Sequence, residues 1–247
     1  MNIDEVKKDI DLILWSTRLS ELYRFTHQRF WETETLANEM ALKIEGEDKD
    51  RKPVPRAESV AEHSWHIADI ILIIAPRFPQ LQIERCLLHA ILHDKLEIIT
   101  GDKNPLGKNG KGTKTHAFNP TKKSVKDMVE REAMKSYLKR LNHEAIPLQK
   151  EILEDTIELN TLESKFVKAI DKVHPLTYII RKKKGDMQDE HINFTLKYSS
   201  TYAKYFPELE PYYVELVDRL FIEIGKVRKA NPEILKKHFY TEQLNLF

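Results

Sequence analysis

The chain contains little cysteine, little glycine and little uncompensated charge. Its 247 residues include one cysteine, Cys86, which excludes a disulfide within the chain. We predict a buried apolar role for Cys86 rather than a reactive thiol. Only seven glycines are present, which disfavours a turn-rich all-β protein and favours helices. The net charge is +1 with 32% charged residues, so nothing global points to a nucleic-acid or membrane surface.

Long hydrophobic runs are also missing. The longest, residues 67–75, carries Asp69 and is about half as long as a transmembrane helix. The first fifteen residues lack the apolar stretch and small-residue cleavage site of a signal peptide. We therefore expect a cytoplasmic protein without a membrane partner.

Helical periodicity dominates what is present. Apolar residues recur three or four positions apart, as on one face of a helix, and no strand-like alternation persists. The pattern predicts an all-α protein, with one or two helices over residues 4–38 and further helices over 60–76, 81–95, 122–142, 159–170 and 213–227.

One segment interrupts the helices. Residues 101–120 hold four of the seven glycines and the lysines 103, 108, 111 and 114. A loop of this length in a compact domain is often functional, and its lysines would suit additional phosphates of a nucleoside triphosphate. A surface insertion with solvated lysines is the alternative.

Histidines and aspartates stand in apolar surroundings at three places, as His63, the pair His93 and Asp94, and Asp171. Burying ionisable groups is costly unless a partner compensates them. Two imidazoles and two carboxylates suit a divalent transition metal. Taken singly, a buried histidine is usually satisfied by its neighbours, and Asp171 would pair with an adjacent lysine. Together the four residues predict a metal site.

These segments resemble the HD-domain phosphohydrolases, and within them the YfbR-like 5′-deoxynucleotidases. The resemblance covers roughly residues 20–180 and rests on Arg56, Glu58, Val60, Glu62, His63, His93, Asp94, Glu97, Gly101, Asp102 and Asp171. It implies one domain over residues 1–247, an HD-domain helical bundle with a long inserted loop and a C-terminal helical extension from about residue 188. It also implies a homodimer and one divalent metal (Co, Mn, Mg, Ni, Fe or Zn) held by His63, His93, Asp94 and Asp171.

Two acids are the candidates for proton transfer. Glu97 lies four residues after His93 and three after Asp94, so it projects from the same side if that helix continues. This placement suits a general acid or base; orienting a metal ligand is the alternative. Asp102 is the second catalytic candidate, with sugar contact or helix capping as alternatives.

Arg24 and Phe25 are the candidates for substrate binding on an early helix. They match the position of an Arg–Trp pair in the related enzymes, and arginine suits bidentate phosphate binding. Phenylalanine in place of tryptophan puts the exclusion of ribonucleotides in doubt. Arg29 and Trp31 offer a competing register.

Arg56 and His66 complete the predicted substrate-binding residues. His66 lies three positions after His63 and so shares its helical face. It could instead orient a metal ligand. Although further histidines are present, we expect one metal.

The main prediction is a metal-dependent phosphohydrolase that converts deoxynucleoside monophosphates to deoxynucleosides and phosphate. The first alternative is a deoxynucleoside triphosphate hydrolase or nucleotide pyrophosphatase. The second is a non-catalytic nucleotide sensor or replisome adaptor. The last five residues, QLNLF (243–247), resemble the peptides that dock on the DNA polymerase sliding clamp, with packing on the protein's own domain as the alternative.

Overall fold

The fold is all-α, as the periodicity predicts. The computed structural model describes residues 3–24, 57–107 and 111–244, with side chains as far as residue 241. Within these ranges the strand-type pairing is limited to one isolated bridge between Tyr23 and Ser59. No helix in the described ranges is both long and apolar enough to cross a membrane.

The α-helices of the described ranges run in chain order as follows: α1 (Ile3–Ser16), α2 (Val60–Ile74), α3 (Ile83–Leu92), α4 (Glu97–Thr100), α5 (Pro120–Leu138), α6 (Ile146–Glu158), α7 (Leu162–Lys183), α8 (Asp189–Ser199), α9 (Glu210–Arg228) and α10 (Pro232–Leu244). Short 3₁₀ turns cover Thr17–Ser20, Ala75–Arg77, His143–Ala145, Ser200–Lys204 and Pro207–Leu209.

Helix α2 begins where its sequence provides a cap. The Ser59 hydroxyl accepts from Glu62 N at 3.2 Å, and the Glu62 carboxylate accepts from Ser59 N at 2.8 Å. This capping box satisfies backbone donors that the first helical turn leaves without partners. Because His63 follows Glu62 directly, the box also fixes where the His63 side chain leaves the helix.

Two hydrophobic clusters hold the helices together. The larger one joins α2, α3, α7 and α9 around buried residues such as Ile71, Phe166 and Phe221. The smaller one lies between the end of α3, α5 and α6 and includes Leu92 and Leu96. These two leucines flank the predicted His93–Asp94 pair, whereas Asp171 follows Ile170 of the larger cluster. The candidate site therefore lies where the two clusters meet.

The C-terminal helices extend the larger cluster. Helix α9 packs on α7, and α10 packs on α9. Tyr213, Val217, Leu220 and Ile224, spaced three or four apart, form the buried stripe of α9. This agrees with the helix predicted over residues 213–227.

Candidate active site

The four predicted metal ligands come together at one point. His63 projects from α2, Asp171 projects from α7, and His93 and Asp94 lie in the turn after α3. His63 Nε2 lies 3.3 Å from Asp171 Oδ1 and 3.6 Å from Asp94 Oδ2. His93 Nε2 lies 3.3 Å from the same Asp94 oxygen. One nitrogen or oxygen from each of His63, His93 and Asp171 lies within 4.8 Å of the others, a spacing that one shared cation could bridge.

The helix predicted over residues 81–95 is shorter than expected. Helix α3 ends at Leu92, and residues 93–96 form a turn before α4 begins at Glu97. The backbone tightens to i→i+3 hydrogen bonds there, with Lys95 N donating to Leu92 O and Glu97 N to Asp94 O. The helix therefore does not continue to Glu97, which was the condition for Glu97 to share a helical face with His93. Glu97 nevertheless reaches the same cavity, because the turn redirects the chain toward it.

Lys95 connects this turn to α1. Its Nζ donates to the Ser16 hydroxyl at 2.9 Å, at the end of α1. Burial lowers the pKa of Lys95. Its role is to tie the turn to α1.

Hydrogen bonding sets the orientation of His93. Its Nδ1 lies 2.8 Å from the carbonyl oxygen of Ala90, which can only accept, so Nδ1 carries a proton and donates. In the neutral ring Nε2 then presents its lone pair to the cluster. Burial lowers the pKa of His93, but the charges of Asp94 and Asp171 outweigh it and raise that pKa above its usual value. The two carboxylates thus favour a positive charge at this point.

The residues fit a divalent metal. His63 Nε2 and His93 Nε2 are buried, and neither makes a hydrogen bond within the described part of the chain. Burial, and then the charge of Arg24, lower the pKa of His63 to about 3, so it is neutral and able to ligate. Burial raises the pKa of Asp171, but Lys168 and Lys172 lower it more, to well below the usual range. Neutral imidazoles and ionised carboxylates are the forms that bind metals.

A second group of residues lies behind His63, on the side away from Asp94 and Asp171. His63 Nδ1 is 3.1 Å from His174 Nδ1. His174 Nε2 is 3.6 Å from Glu58 Oε1, which is also 2.9 Å from His66 Nδ1. Metal-binding histidines commonly donate their other ring N–H to such a partner. If Nε2 of His63 binds a cation, the ring proton lies on Nδ1, which donates a hydrogen bond to His174 Nδ1.

Sequence reasoning missed the roles of His174 and Glu58. His174 lies three residues after Asp171 on α7, so helical spacing could have placed it beside the site. Glu58 was part of the quoted motif but was given no role. Burial raises the pKa of Glu58, and Arg24 opposes this.

Glu97 and Asp102 line the same cavity as His93 and Asp94. Burial, with the nearby charges of Asp94 and Asp102, raises the pKa of Glu97 well above the usual range. Burial also raises the pKa of Asp102, with Arg24 opposing and Asp94 reinforcing the shift. Asp102 follows Gly101, whose φ of +71° ends α4 in a conformation that favours glycine.

Arg24 lies between Asp94 and Glu58. Its Nη1 donates to Asp94 Oδ2 at 2.8 Å, and its Nε is 3.6 Å from Glu58 Oε2. The backbone holds it there, since Arg24 N donates to Glu58 O at 2.7 Å. Burial opposes protonation, but Asp94 and other carboxylates raise the Arg24 pKa further above its usual value.

The other predicted substrate residues are placed less centrally. His66 lies against Glu58 rather than in the lining of the cavity. Phe25 and Arg56 lie outside the described residues, as do Arg29 and Trp31 of the competing register.

A cavity of about 520 Å³ opens over this cluster, within the usual range for small-ligand sites. The described part of the predicted long loop forms one side of it, with Phe118 edge-on to Phe194 of α8. Of the loop lysines, Lys103 lines the cavity, Lys111 and Lys114 do not, and Lys108 is outside the described residues. Most of the basic lining comes instead from α5, α7, α8 and the Ser200–Lys204 turn: Lys123, Lys126, Lys168, Lys172, Lys197 and Lys204.

Comparison with known proteins identifies the family. A family model described as an HD domain matches residues 47–210, more than half of the chain. The chain belongs to the HD-domain family. The 5′-deoxynucleotidase hdd1 of Schizosaccharomyces pombe is 32% identical over 123 residues, which cover 48% of this chain and 55% of that protein. The match thus spans just over half of this relative's length.

Longer matches point the same way. The 5′-deoxynucleotidase HDDC2 of Mus musculus is 30% identical over 179 residues, covering 69% of this chain and 76% of that protein. A crystal structure from Magnetospirillum magnetotacticum MS-1, described as a predicted metal-dependent phosphohydrolase, superposes with a TM-score of 0.57 at 18% identity. It covers 89% of this chain and 94% of its own, and this likeness shows the shared fold. The predicted membership of the HD-domain family is confirmed.

Proposed function

We propose that this HD-domain protein is a metal-dependent 5′-deoxynucleotidase, which hydrolyses deoxynucleoside 5′-monophosphates to deoxynucleosides and phosphate. One observation carries the proposal: His63, His93, Asp94 and Asp171 converge on a cavity that Glu97 and Arg24 also line. His63 belongs to this group through its contacts with Asp94 and Asp171. The names of the relatives support the choice of substrate.

In this proposal His63, His93, Asp94 and Asp171 hold one divalent ion. When bound, such an ion activates a water molecule and polarises a phosphoryl oxygen. The protein's own contribution is orientation: Ala90 O fixes the ring of His93 and His174 supports that of His63. Lys168 Nζ, 3.0 Å from Asp171 Oδ2, keeps Asp171 ionised.

Arg24 is the proposed phosphate-binding residue. It lines the cavity beside Asp94, and its guanidinium can contact Asp94 and a phosphate together because it carries five N–H donors. Its backbone bond to Glu58 holds it in position before substrate arrives. Such preorganisation lowers the cost of orienting the phosphate.

Glu97 is the proposed general acid. Burial raises its pKa, which favours the protonated carboxyl, so it can donate a proton to the 5′-oxygen as the bond to phosphorus breaks. Asp102 contributes to the protonation of Glu97 by its charge, and we assign it to proton transfer or sugar contact. His66 acts through Glu58 in this proposal rather than by touching the substrate.

A turnover panel tests the function. Phosphate release would be measured with deoxy- and ribonucleoside mono- and triphosphates, each with Mg²⁺, Mn²⁺, Co²⁺ and Ni²⁺. We expect phosphate and deoxynucleoside from a monophosphate. Tripolyphosphate or pyrophosphate as the main product would favour the triphosphate hydrolase instead, and binding without turnover across all metals would favour the nucleotide sensor.

The remaining assignments rest on the sequence. We propose one cytoplasmic domain that forms a homodimer, to be tested by the mass of the protein in solution. We also propose that residues 243–247 dock on a sliding clamp. Helix α10 runs to Leu244, but the side chains from Glu242 onward lie outside the described part. Purified clamp that binds a known clamp peptide but does not bind this protein would refute the docking.

A further inference from the structure

A group of lysines stands beside the proposed catalytic residues. Lys126 comes from α5, and Lys168 and Lys172 come from α7. All three line the cavity, and their side chains are 25%, 32% and 12% exposed. We call these three residues the lysine trio.

The lysine trio holds like charges close together. Lys168 and Lys172 stand four positions apart on α7, so their side chains share one face of the helix. Burial lowers the pKa of the neighbouring His116 to about 3, with further lowering by all three lysines. Confining like charges at partly buried positions is unfavourable. An anionic ligand would compensate that cost.

The nearby carboxylates balance this charge only in part. Lys168 Nζ and Lys172 Nζ lie 3.0 and 3.5 Å from the same oxygen, Oδ2 of Asp171. The other oxygen of Asp171 faces His63. Lys126 pairs with Glu130, one turn further along α5. Each lysine therefore has an acidic contact, but Lys168 and Lys172 share theirs.

The lining of the whole cavity is positive. It contains eight basic and six acidic side chains. A bound divalent metal would add two more positive charges. A phosphate monoester brings only about −1.5 to −2, so the lining as a whole stays positive after it binds.

We propose that the lysine trio is a subsite for phosphate groups beyond the one that is hydrolysed, so that the cavity binds nucleoside triphosphates more tightly than monophosphates. The inference rests on the proposed function in assigning the first phosphate to Arg24 and the metal. The cavity volume of about 520 Å³ falls within the usual range for small-ligand sites.

Calorimetric binding of dAMP and dATP tests the proposal. Both would be measured at one fixed free-metal concentration in full-length protein carrying Glu97→Gln, which suppresses turnover. We expect dATP to bind about tenfold more tightly than dAMP, because its additional phosphates would form charge-assisted hydrogen bonds with the lysine trio. Adding Lys126→Gln should weaken dATP binding by most of this factor and dAMP binding by much less.

Lys135→Gln is the matched control. Lys135 lies on the same helix, is 66% exposed and pairs with Glu132 outside the cavity, so both affinities should stay unchanged. Lys168→Gln, with metal content and circular dichroism checked, serves if Lys126→Gln does not fold. Equal binding of dAMP and dATP, or equal weakening of both by Lys126→Gln, would overturn the subsite. Failure of the proposed function appears separately, as no phosphate release from dAMP by the wild-type protein.

Discussion

Two buried networks of aspartate and histidine lie in the described part of this protein, and they differ in whether their side chains reach the cavity. The first surrounds Asp155 at the junction of α6 and α7. Its Oδ1 accepts from Asn160 N, Thr161 N and Ser164 Oγ, each at 3.0 Å. The second is the candidate metal cluster, where His63 Nε2 and His93 Nε2 are buried without hydrogen bonds in the described ranges.

The difference separates a structural role from a functional one. Asp155 organises a helix junction, because the Thr161 that it accepts from also caps α7. The metal cluster instead directs ligand atoms from two helices and one turn toward a cavity. Burial and residue type are alike in the two networks. Hydrogen-bond satisfaction does not distinguish them, because His89 Nε2, 3.1 Å from Asp155 Oδ2, also lacks a hydrogen bond within the described residues. Access to the cavity does, since His93, Asp94 and Asp171 line it and Asp155 and His89 do not.

The largest expected effect is on catalysis. Glu97→Gln should lower kcat by about 10²–10⁴-fold, because the amide cannot donate the carboxyl proton. Metal content should stay at the wild-type level, since Glu97 is not among the proposed ligands. The unfolding free energy near pH 8 should stay equal or rise, because the raised pKa of Glu97 means that its ionisation destabilises the fold. Phosphate release, metal analysis and denaturant unfolding measure the three quantities.

Glu132→Gln is the matched control for this substitution. Glu132 lies on α5, with a side chain 71% exposed and outside the cavity. It should behave as wild type in all three measurements. Loss of metal in Glu97→Gln would contradict the assignment of Glu97 to proton transfer rather than to metal binding.

Asp155→Ala should act on stability instead. Its removal leaves the amides of Asn160 and Thr161 without their acceptor, and the Ser164 hydroxyl keeps only the Thr161 carbonyl oxygen as an acceptor. The expected loss is about 3 kcal/mol of unfolding free energy, measured by urea denaturation. The folded fraction should still bind metal in wild-type amount. A stability loss below 0.5 kcal/mol would show that the network is not structural, by the usual range for surface changes of about ±0.5 kcal/mol.

The sequence predicted which ionisable side chains meet better than it predicted their surroundings. His63, His93, Asp94 and Asp171 could be selected because ionisable groups in apolar helical segments need compensation. The end of α3 at Leu92 could not be foreseen, since no proline or glycine marks it. The sequence also pointed to the lysines of residues 101–120 as the phosphate-binding ones, whereas most lysines that line the cavity come from helices. Lysines on α5 and α7 become neighbours only through helix packing.

His174→Phe should have an intermediate effect. It removes the group 3.1 Å from His63 Nδ1, and loss of such a partner weakens metal binding by about 10–100-fold. The readout is the metal Kd from a chelator competition titration. His174→Asn should restore part of the affinity, because its amide oxygen can accept near the same place. Equal metal affinities of wild type, His174→Phe and His174→Asn would show that His174 does not position His63.

The smallest effect concerns pH. Burial raises the pKa of Asp155, but hydrogen bonds from Thr161 and Ser164 lower it more, to about 2. A folded-state pKa below the usual value stabilises the protein above about pH 4, and this stabilisation is lost as the pH falls towards 2. The unfolding free energy of Asp155→Asn should therefore fall less between those values than that of wild type. Parallel acid titrations would contradict the assignment.

Metal stoichiometry and turnover, measured on one sample, test the central claim most directly. Chelator-treated wild-type protein would be titrated with Mn²⁺ or Co²⁺ while phosphate release from dAMP is followed. We predict that activity returns in proportion to metal and levels off at one ion per chain. In parallel, Asp94→Ala should bind little metal and stay inactive. Full activity in excess chelator, or an active Asp94→Ala, would contradict the account.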